Sequence, residues 1–344
     1  MNQKRKILFL LAVSLQFVIL IQAQDLHFSQ FFNSPLTTNP ANTGFIPDAD
    51  YRIGAHYRNQ WSSILSAPYK TVSLFADAQL LRNKIENGWL GIGGVILSDV
   101  AGSGGLRSTK IYGSLAYHQM LGNNSLLSAG FNLGWANKYI DQSKLKYPDQ
   151  FDGRFFDHTI VTSDHVELAN SSINYFDIQA GLNYAYFPND DVYINAGYSI
   201  HHVNQPQETF FSNITDSSKI ALRHIGFINA IVKVNERVII NPNAFYSNQA
   251  RSSEFVLGLN ANYNLAEGGE KQLIAGLYYR VGDAVIPMLG FELKNVRFTF
   301  SYDVTTSALH NFNNMQGASE FNLLKKGFYS EYNGDTRQVL CPKF

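Results

Sequence analysis

The chain predicts an all-β fold, an antiparallel transmembrane β-barrel of about fourteen strands with short periplasmic turns and long extracellular loops. Three observations predict it: a strand period of two in long segments, connections whose length alternates, and an export signal at the start. In Phe255–Leu265 the residues Phe255, Leu257, Leu259, Ala261, Tyr263 and Leu265 fall on one face. Val256, Gly258, Asn260, Asn262 and Asn264 fall on the other. Such a segment is long enough to cross the bilayer core when tilted.

Segments of this kind predict strands over 50–59, 70–80, 88–98, 107–120, 125–136, 173–186, 191–202, 219–234, 236–247, 253–265, 271–280, 284–293, 295–303 and 317–325. Gaps after odd-numbered strands include 60–69, 99–106, 137–172, 203–218 and 304–316. Gaps after even-numbered strands are shorter: 81–87, Gly122–Asn124, Pro188–Asp190, Asn235, Ala266–Glu270 and Lys294. A β-sandwich has no reason to sort its loops by parity, whereas a bacterial barrel does. The gaps after the ninth and eleventh strands are short, so the pattern is imperfect. An even strand count returns both ends of the barrel to the periplasm.

Lys4, Arg5 and Lys6 precede an apolar run from Ile7 to Ile21, and Ala23 places a cleavage point before Gln24. The run is short for a membrane anchor. Expected divisions are a signal peptide at 1–23, a periplasmic or plug segment at 24–49, the barrel at 50–326 and a periplasmic tail at 327–344. Loss of the signal removes three of 27 basic residues, leaving 24 against 27 acidic ones and a net charge of −3. That carries no nucleic-acid footprint. The chain has 25 Phe and 19 Tyr but only 4 Met and 3 Trp, a bias that suits interfacial aromatic belts. The single cysteine, Cys341, excludes an internal disulfide and reads as an inert thiol, with an intermolecular link as the alternative.

Alternation also assigns a lumen face. The first strand points Arg52, Gly54, His56, Arg58 and Gln60 one way, and Tyr51, Ile53, Ala55 and Tyr57 the other. Ser73, Asp77 and Gln79 point inward from the second strand, and Glu292 from the twelfth. Arg297, Thr299, Ser301 and Asp303 do so from the thirteenth, and Glu320 and Asn322 from the fourteenth. Closure sets the last strand beside the first, so Glu320 is expected to meet Arg52 or Arg58. The resulting charge ladder is Arg52, Arg58, Asp77, Glu292, Asp303 and Glu320. It fits either a hydrated lumen or a cross-braced one closed by the N-terminal segment. A cation facing lipid at mid-bilayer would cost about 2–4 kcal/mol.

In the N-terminal segment, Pro35, Pro40 and Pro47, with Asn39 and Gly44, forbid a long regular element. Phe28, Phe31 and Phe32 imply that it packs, in the lumen or against a periplasmic partner. The gap 137–172 interleaves Tyr147, Phe151, Phe155, Phe156 and His158 with Asp149, Asp152, Asp157, Asp164 and Glu167. The later gaps add Phe210, Phe211, Leu309, His310 and Phe312. Aromatics among carboxylates on loops suit a protein interface, or loops that pack on one another. The acidic loop lacks a calcium-binding spacing. His201 and His202 are adjacent, so on a strand their rings point to opposite faces, and His158 and His165 define no site. Ser114 and His118 share a face of the fourth strand, a weak signal for a lipid hydrolase. No phosphate loop, Cys-x-x-Cys, His-Glu-x-x-His or nucleophile elbow occurs. No catalytic residue, cofactor or metal is expected.

The segment Gln24-Asp-Leu-His-Phe-Ser-Gln-Phe-Phe-Asn-Ser-Pro-Leu-Thr-Thr-Asn-Pro-Ala41, then Gly44, Tyr57-Arg-Asn-Gln-Trp61 and Tyr69, resembles the PorP/SprF family of type IX secretion outer-membrane proteins of Bacteroidota. Tyr279-Arg280 with Asp283, Ser301-Tyr-Asp303 and, more weakly, Cys341-Pro-Lys-Phe344 agree with it. The resemblance implies an outer-membrane barrel that helps secrete, receive or anchor a surface protein such as a gliding adhesin by docking its C-terminal domain. It implies contact with that cargo, with other type IX components and with outer-membrane lipid. Candidate partner-binding residues are Asn39, Pro40, Tyr147, Phe151, Phe155, Phe156, Phe210, Phe211 and Phe312. The rival expectations are a passive porin and, behind it, a lipid hydrolase.

Overall fold

In a computed structural model of the protein, the described residues are 26–329 except 83, 103–104, 146, 158, 161–169, 212–217 and 267–268. The expected signal peptide, His158, His165, Cys341 and positions 330–344 of the expected tail lie outside them. The strands are β1 (Tyr51–Gln60), β2 (Tyr69–Leu80), β3 (Gly88–Ala101), β4 (Leu106–Met120), β5 (Ser125–Tyr139), β6 (Ser172–Asn189) and β7 (Val192–His201). They continue as β8 (Arg223–Asn235), β9 (Val238–Gln249), β10 (Ser252–Asn264), β11 (Lys271–Arg280), β12 (Ala284–Leu293), β13 (Val296–Thr305) and β14 (Gln316–Gly327).

Every strand pairs antiparallel with its sequence neighbours, and β14 returns to β1 to close the barrel. The closing seam runs from Tyr51 opposite Gly327 to Gln60 opposite Ala318. Closure leaves no sheet edge whose N–H and C=O groups would face hydrocarbon. The period of two then sorts side chains. Phe255, Leu257, Leu259 and Tyr263 are exposed on the outer wall, whereas Val256, Asn260 and Asn262 are buried inside. On β11 the exposed Leu273, Leu277 and Tyr279 alternate with the buried Ile274, Tyr278 and Arg280.

One end of the barrel carries connections 61–68, 102–105, 140–171, 202–222, 250–251, 281–283 and 306–315. The other carries 81–87, 121–124, 190–191, 236–237, 265–270 and 294–295. Three local differences from the sequence reading have physical causes. β3 runs on to Ala101, opposite Leu106, and shortens the expected gap 99–106. β8 starts at Arg223 rather than 219, because Lys219 bridges to Gln207 and Ile220 bonds to Pro206 within the loop. His202 ends the alternation with φ of 59°, so its ring and that of His201 are both buried instead of facing opposite ways.

Residues 26–50 form a strap inside the barrel. Short helical turns at Phe31–Asn33, Pro35–Thr38 and Pro40–Asn42 break it into segments. Pro35 and Pro40 each open a turn, where the missing N–H costs nothing. The Asn39 side chain caps the last turn by accepting from the Ala41 N–H at 2.9 Å. The strap approaches the wall where the wall has no side chain. A Cβ on Gly91 would lie 1.9 Å from the Thr43 carbonyl oxygen, and one on Gly181 2.0 Å from Asn39 Oδ1.

Gly91→Ala should therefore lower the stability of the detergent-solubilised barrel by about 1–3 kcal/mol, read as a lower unfolding midpoint. Gly226→Ala should leave it unchanged, because nothing lies within 4 Å of a Cβ built there.

Candidate functional site

The strap runs along the lumen from the long-loop end to the short-turn end. Its first described residues meet a buried charge network. Arg58, near the upper end of β1, lies directly opposite Glu320 on β14. Its guanidinium is 3.0 Å from Glu320 and 2.9 Å from Asp303 on β13. Arg280, at the end of β11, lies 3.1 Å from Asp303 and 2.9 Å from both Glu254 and Asp283. The Ser29 hydroxyl sits at the centre. It accepts from Arg58 at 2.7 Å and from Arg280 at 2.6 Å, and donates to Asp303 at 2.8 Å. The backbone N–H groups of Ser29 and Gln30 each donate to a Glu320 oxygen at 2.9 Å. Two acids side by side on β13 and β14 are tolerated because two guanidiniums and two peptide N–H groups face them.

Further down, the wall of β1 to β7 holds the strap mainly by its carbonyls. Ser199 donates to Thr38 O at 2.8 Å, Asn132 to Leu36 O at 3.3 Å, Arg52 to Asn42 O at 2.7 Å and Gln79 to Ile46 O at 2.6 Å. The Trp89 indole N–H reaches Gly44 O at 2.9 Å. Asp77 receives the Gly44 N–H at 2.6 Å and pairs with Arg52 at 2.8 Å. Aromatic contacts add to these: Phe31 stacks on Phe245, Phe32 on Tyr278 and Phe45 on Tyr193. At the foot, Lys326 bonds Asp48 at 2.5 Å.

All six residues of the ladder line the lumen. Arg58, Asp303 and Glu320 share one network at the long-loop end. Arg52 and Asp77 form a second pair lower down, and Glu292 pairs with Arg297, directly opposite it, at 2.6 Å. Sequence reasoning overlooked Ser29, Gln30 and Glu254, and did not place Arg280 on the ladder. Alternation with the outward Tyr279 was a usable signal for Arg280. For Ser29 there was none, since its partner Glu320 is 291 positions away.

The expectation that Asn39 and Pro40 touch a partner is corrected by their burial. Asn39 is fully buried, and its amide donates to Leu182 O at 2.8 Å beside Gly181, so it docks the strap into the wall. The loop candidates differ. Phe155 is 71% exposed, and Phe151, Phe156 and Phe211 are also exposed. Phe312 is 83% exposed, while Tyr147 and Phe210 are half-buried. Ser114 and His118 both face the lumen but do not pair with each other. Ser114 contacts Thr43 and Asn132, and His118 binds Ser128 at 2.7 Å and Thr43 O at 2.8 Å. Among the described residues, no three His, Cys, Asp or Glu side chains converge as a metal site.

Two outcomes test the lock. Arg58→Met leaves Asp303 and Glu320 short of one cation and should cost about 3–5 kcal/mol, read as a lower unfolding midpoint. In planar bilayers the intact barrel should show no large steady pore, whereas a chain lacking residues 26–46 should conduct.

Comparison with known proteins agrees with this architecture. The P. putida toluene transporter TodX superposes with a TM-score of 0.52 at 13% identity, over 86% of this chain and 94% of that one. The deltaS2 mutant of the TodX monoaromatic hydrocarbon channel gives 0.51 at 12% identity, over 86% and 94%. At such identities the likeness shows the fold, that of an outer-membrane barrel. No curated protein matches the chain. The profile of the family described as "Type IX secretion system membrane protein PorP/SprF" matches residues 20–324. With this match, the closed fourteen-strand barrel and the N-terminal block inside it, the chain belongs to the PorP/SprF family of type IX secretion system membrane proteins.

Proposed function

We propose that this outer-membrane barrel receives or anchors one secreted surface protein, such as an adhesin, by docking its C-terminal domain at the extracellular end. The observation that carries the reading is a division of labour. The lumen is occupied along its length by the strap, which is locked at its extracellular end, while aromatic side chains remain exposed in the loops above. A lumen obstructed by a locked strap argues against a passive porin. Exposed aromatics set among carboxylates have the composition of protein-contact surfaces, where a few such side chains carry most of the binding energy. Phe155, Phe156, Phe211 and Phe312 are the residues to which we assign this contact, with Phe151 beside them. Family membership supports cooperation with other type IX components, which on this reading supply the energy and the translocation path. The barrel itself performs no chemistry in this scheme. It is a rigid, lipid-embedded stand.

The test is co-purification from native outer membranes. The full chain should retain one large secreted protein, and a chain with 140–171 replaced by a tight turn should lose it while staying folded. Replacement should be tolerated because Tyr139 and Ser172, which flank the excised stretch, are already paired across β5 and β6. Phe155→Ser and Phe312→Ser should each weaken retention by about 1–2 kcal/mol. Retention unchanged in all three variants would move the docking surface elsewhere.

A further inference from the structure

The strap fills only one side of the lumen. Between it and the walls of β7 to β14 lies a cavity of about 260 Å³ at the periplasmic end. Its polar lining is dominated by carboxamides: Asn195, Asn229, Asn241, Asn243, Asn262 and Gln272. Some bond to one another, as Asn241 does to Asn260 at 2.8 Å and Asn262 to Gln272 at 3.0 Å. Those bonds use part of each amide's capacity of two donors and one double acceptor. Asn229 Oδ1 is buried and has no hydrogen-bond partner. Phe32, Phe227 and Ile239 supply an apolar floor.

The same barrel shows what such a wall does. On the β1 to β7 side, carboxamides, hydroxyls and a guanidinium hold a polypeptide, the strap, mainly through its backbone carbonyls. The facing wall repeats that chemistry with more amides, at a height that opens toward the periplasm. A carboxamide presents the donor and acceptor pair of a peptide group, so a row of them suits an extended main chain. The charged groups at the mouth are paired, Lys326 with Asp48 and Arg297 with Glu292, which leaves no strong demand for an ionic ligand.

We propose that this vestibule binds a short extended polypeptide segment of a periplasmic partner, laid beside the strap and held by the amide wall. This goes beyond the extracellular docking reading and does not depend on it.

The experiment uses the full mature protein in lipid nanodiscs, with both faces accessible, and a library of random linear peptides as probe. Enriched peptides, resynthesised, should bind at least about tenfold more weakly to Asn241→Leu/Asn262→Leu and to the cavity-filling Asn229→Trp. They should bind Phe312→Ala like the parent. Because the double variant removes internal amide bonds, Asn229→Trp and its unfolding midpoint serve as the control for folding. Failure to enrich any peptide with this cavity dependence overturns the proposal. So does cavity-dependent binding of cell-wall oligosaccharides instead of peptides, or peptide binding that appears only when residues 330–344 are removed, which would make the protein's own tail the occupant. Loop-dependent co-purification is read separately, so either result can fail while the other stands.

Discussion

The seam between β1 and β14 is the constraint on which the other features depend. In hydrocarbon every backbone amide needs a partner within the protein, so a sheet of this kind survives only as a closed cylinder. The register that closes it puts Arg58 opposite Glu320. The pair at the junction is therefore also the pair that receives Ser29 and Gln30 of the strap. Closure of the wall and occupation of the lumen share the same side chains.

That shared arrangement divides the lumen into two chemically related halves. One half presents hydrogen-bonding side chains to the strap and is bare of side chains where the strap comes closest, at Gly91 and Gly181. The other half has amides and aromatic rings around open space. The extracellular end, by contrast, is crossed by the network of Arg58, Arg280, Asp303 and Glu320 around Ser29 of the strap. The molecule thus holds its strap by charge toward one side of the membrane and is concave toward the other, while exposed aromatic side chains stand on the first side.

Much of the wall was legible in the sequence because it depends on a local rule. Alternation alone assigns Asp77, Asp303 and Glu320 inward and sets Leu257 and Leu259 on the face opposite Asn260 and Asn262, and loop parity orients the cylinder. The lumen's contents were not legible in the same way. Ser29 carries no pattern that points to Asp303 or Arg280, since those contacts exist only once the far end of the chain has come round. Asn39 and Pro40 were candidates for partner contact because the sequence left two packing sites for the N-terminal segment, the lumen and a periplasmic partner. Their burial depends on glycines in β5, β6 and β7 that no nearby sequence announces. His202 shows a smaller version of the same limit: one left-handed residue at a strand end cancels the alternation rule.

The strap also constrains the order of assembly. It runs the length of the cylinder, yet it leads directly into β1 at the periplasmic rim through Asp50, which bonds to Gly327 and Gln79. Side chains from nearly every strand surround it. Threading this bulky, proline-broken stretch into a finished tube would require stripping the polar contacts along its whole path. A sheet still parted between its first and last strands is instead a trough, in which the leading segment can be laid before the final zipper closes over it. The step that makes the wall continuous would then also be the step that traps the filling.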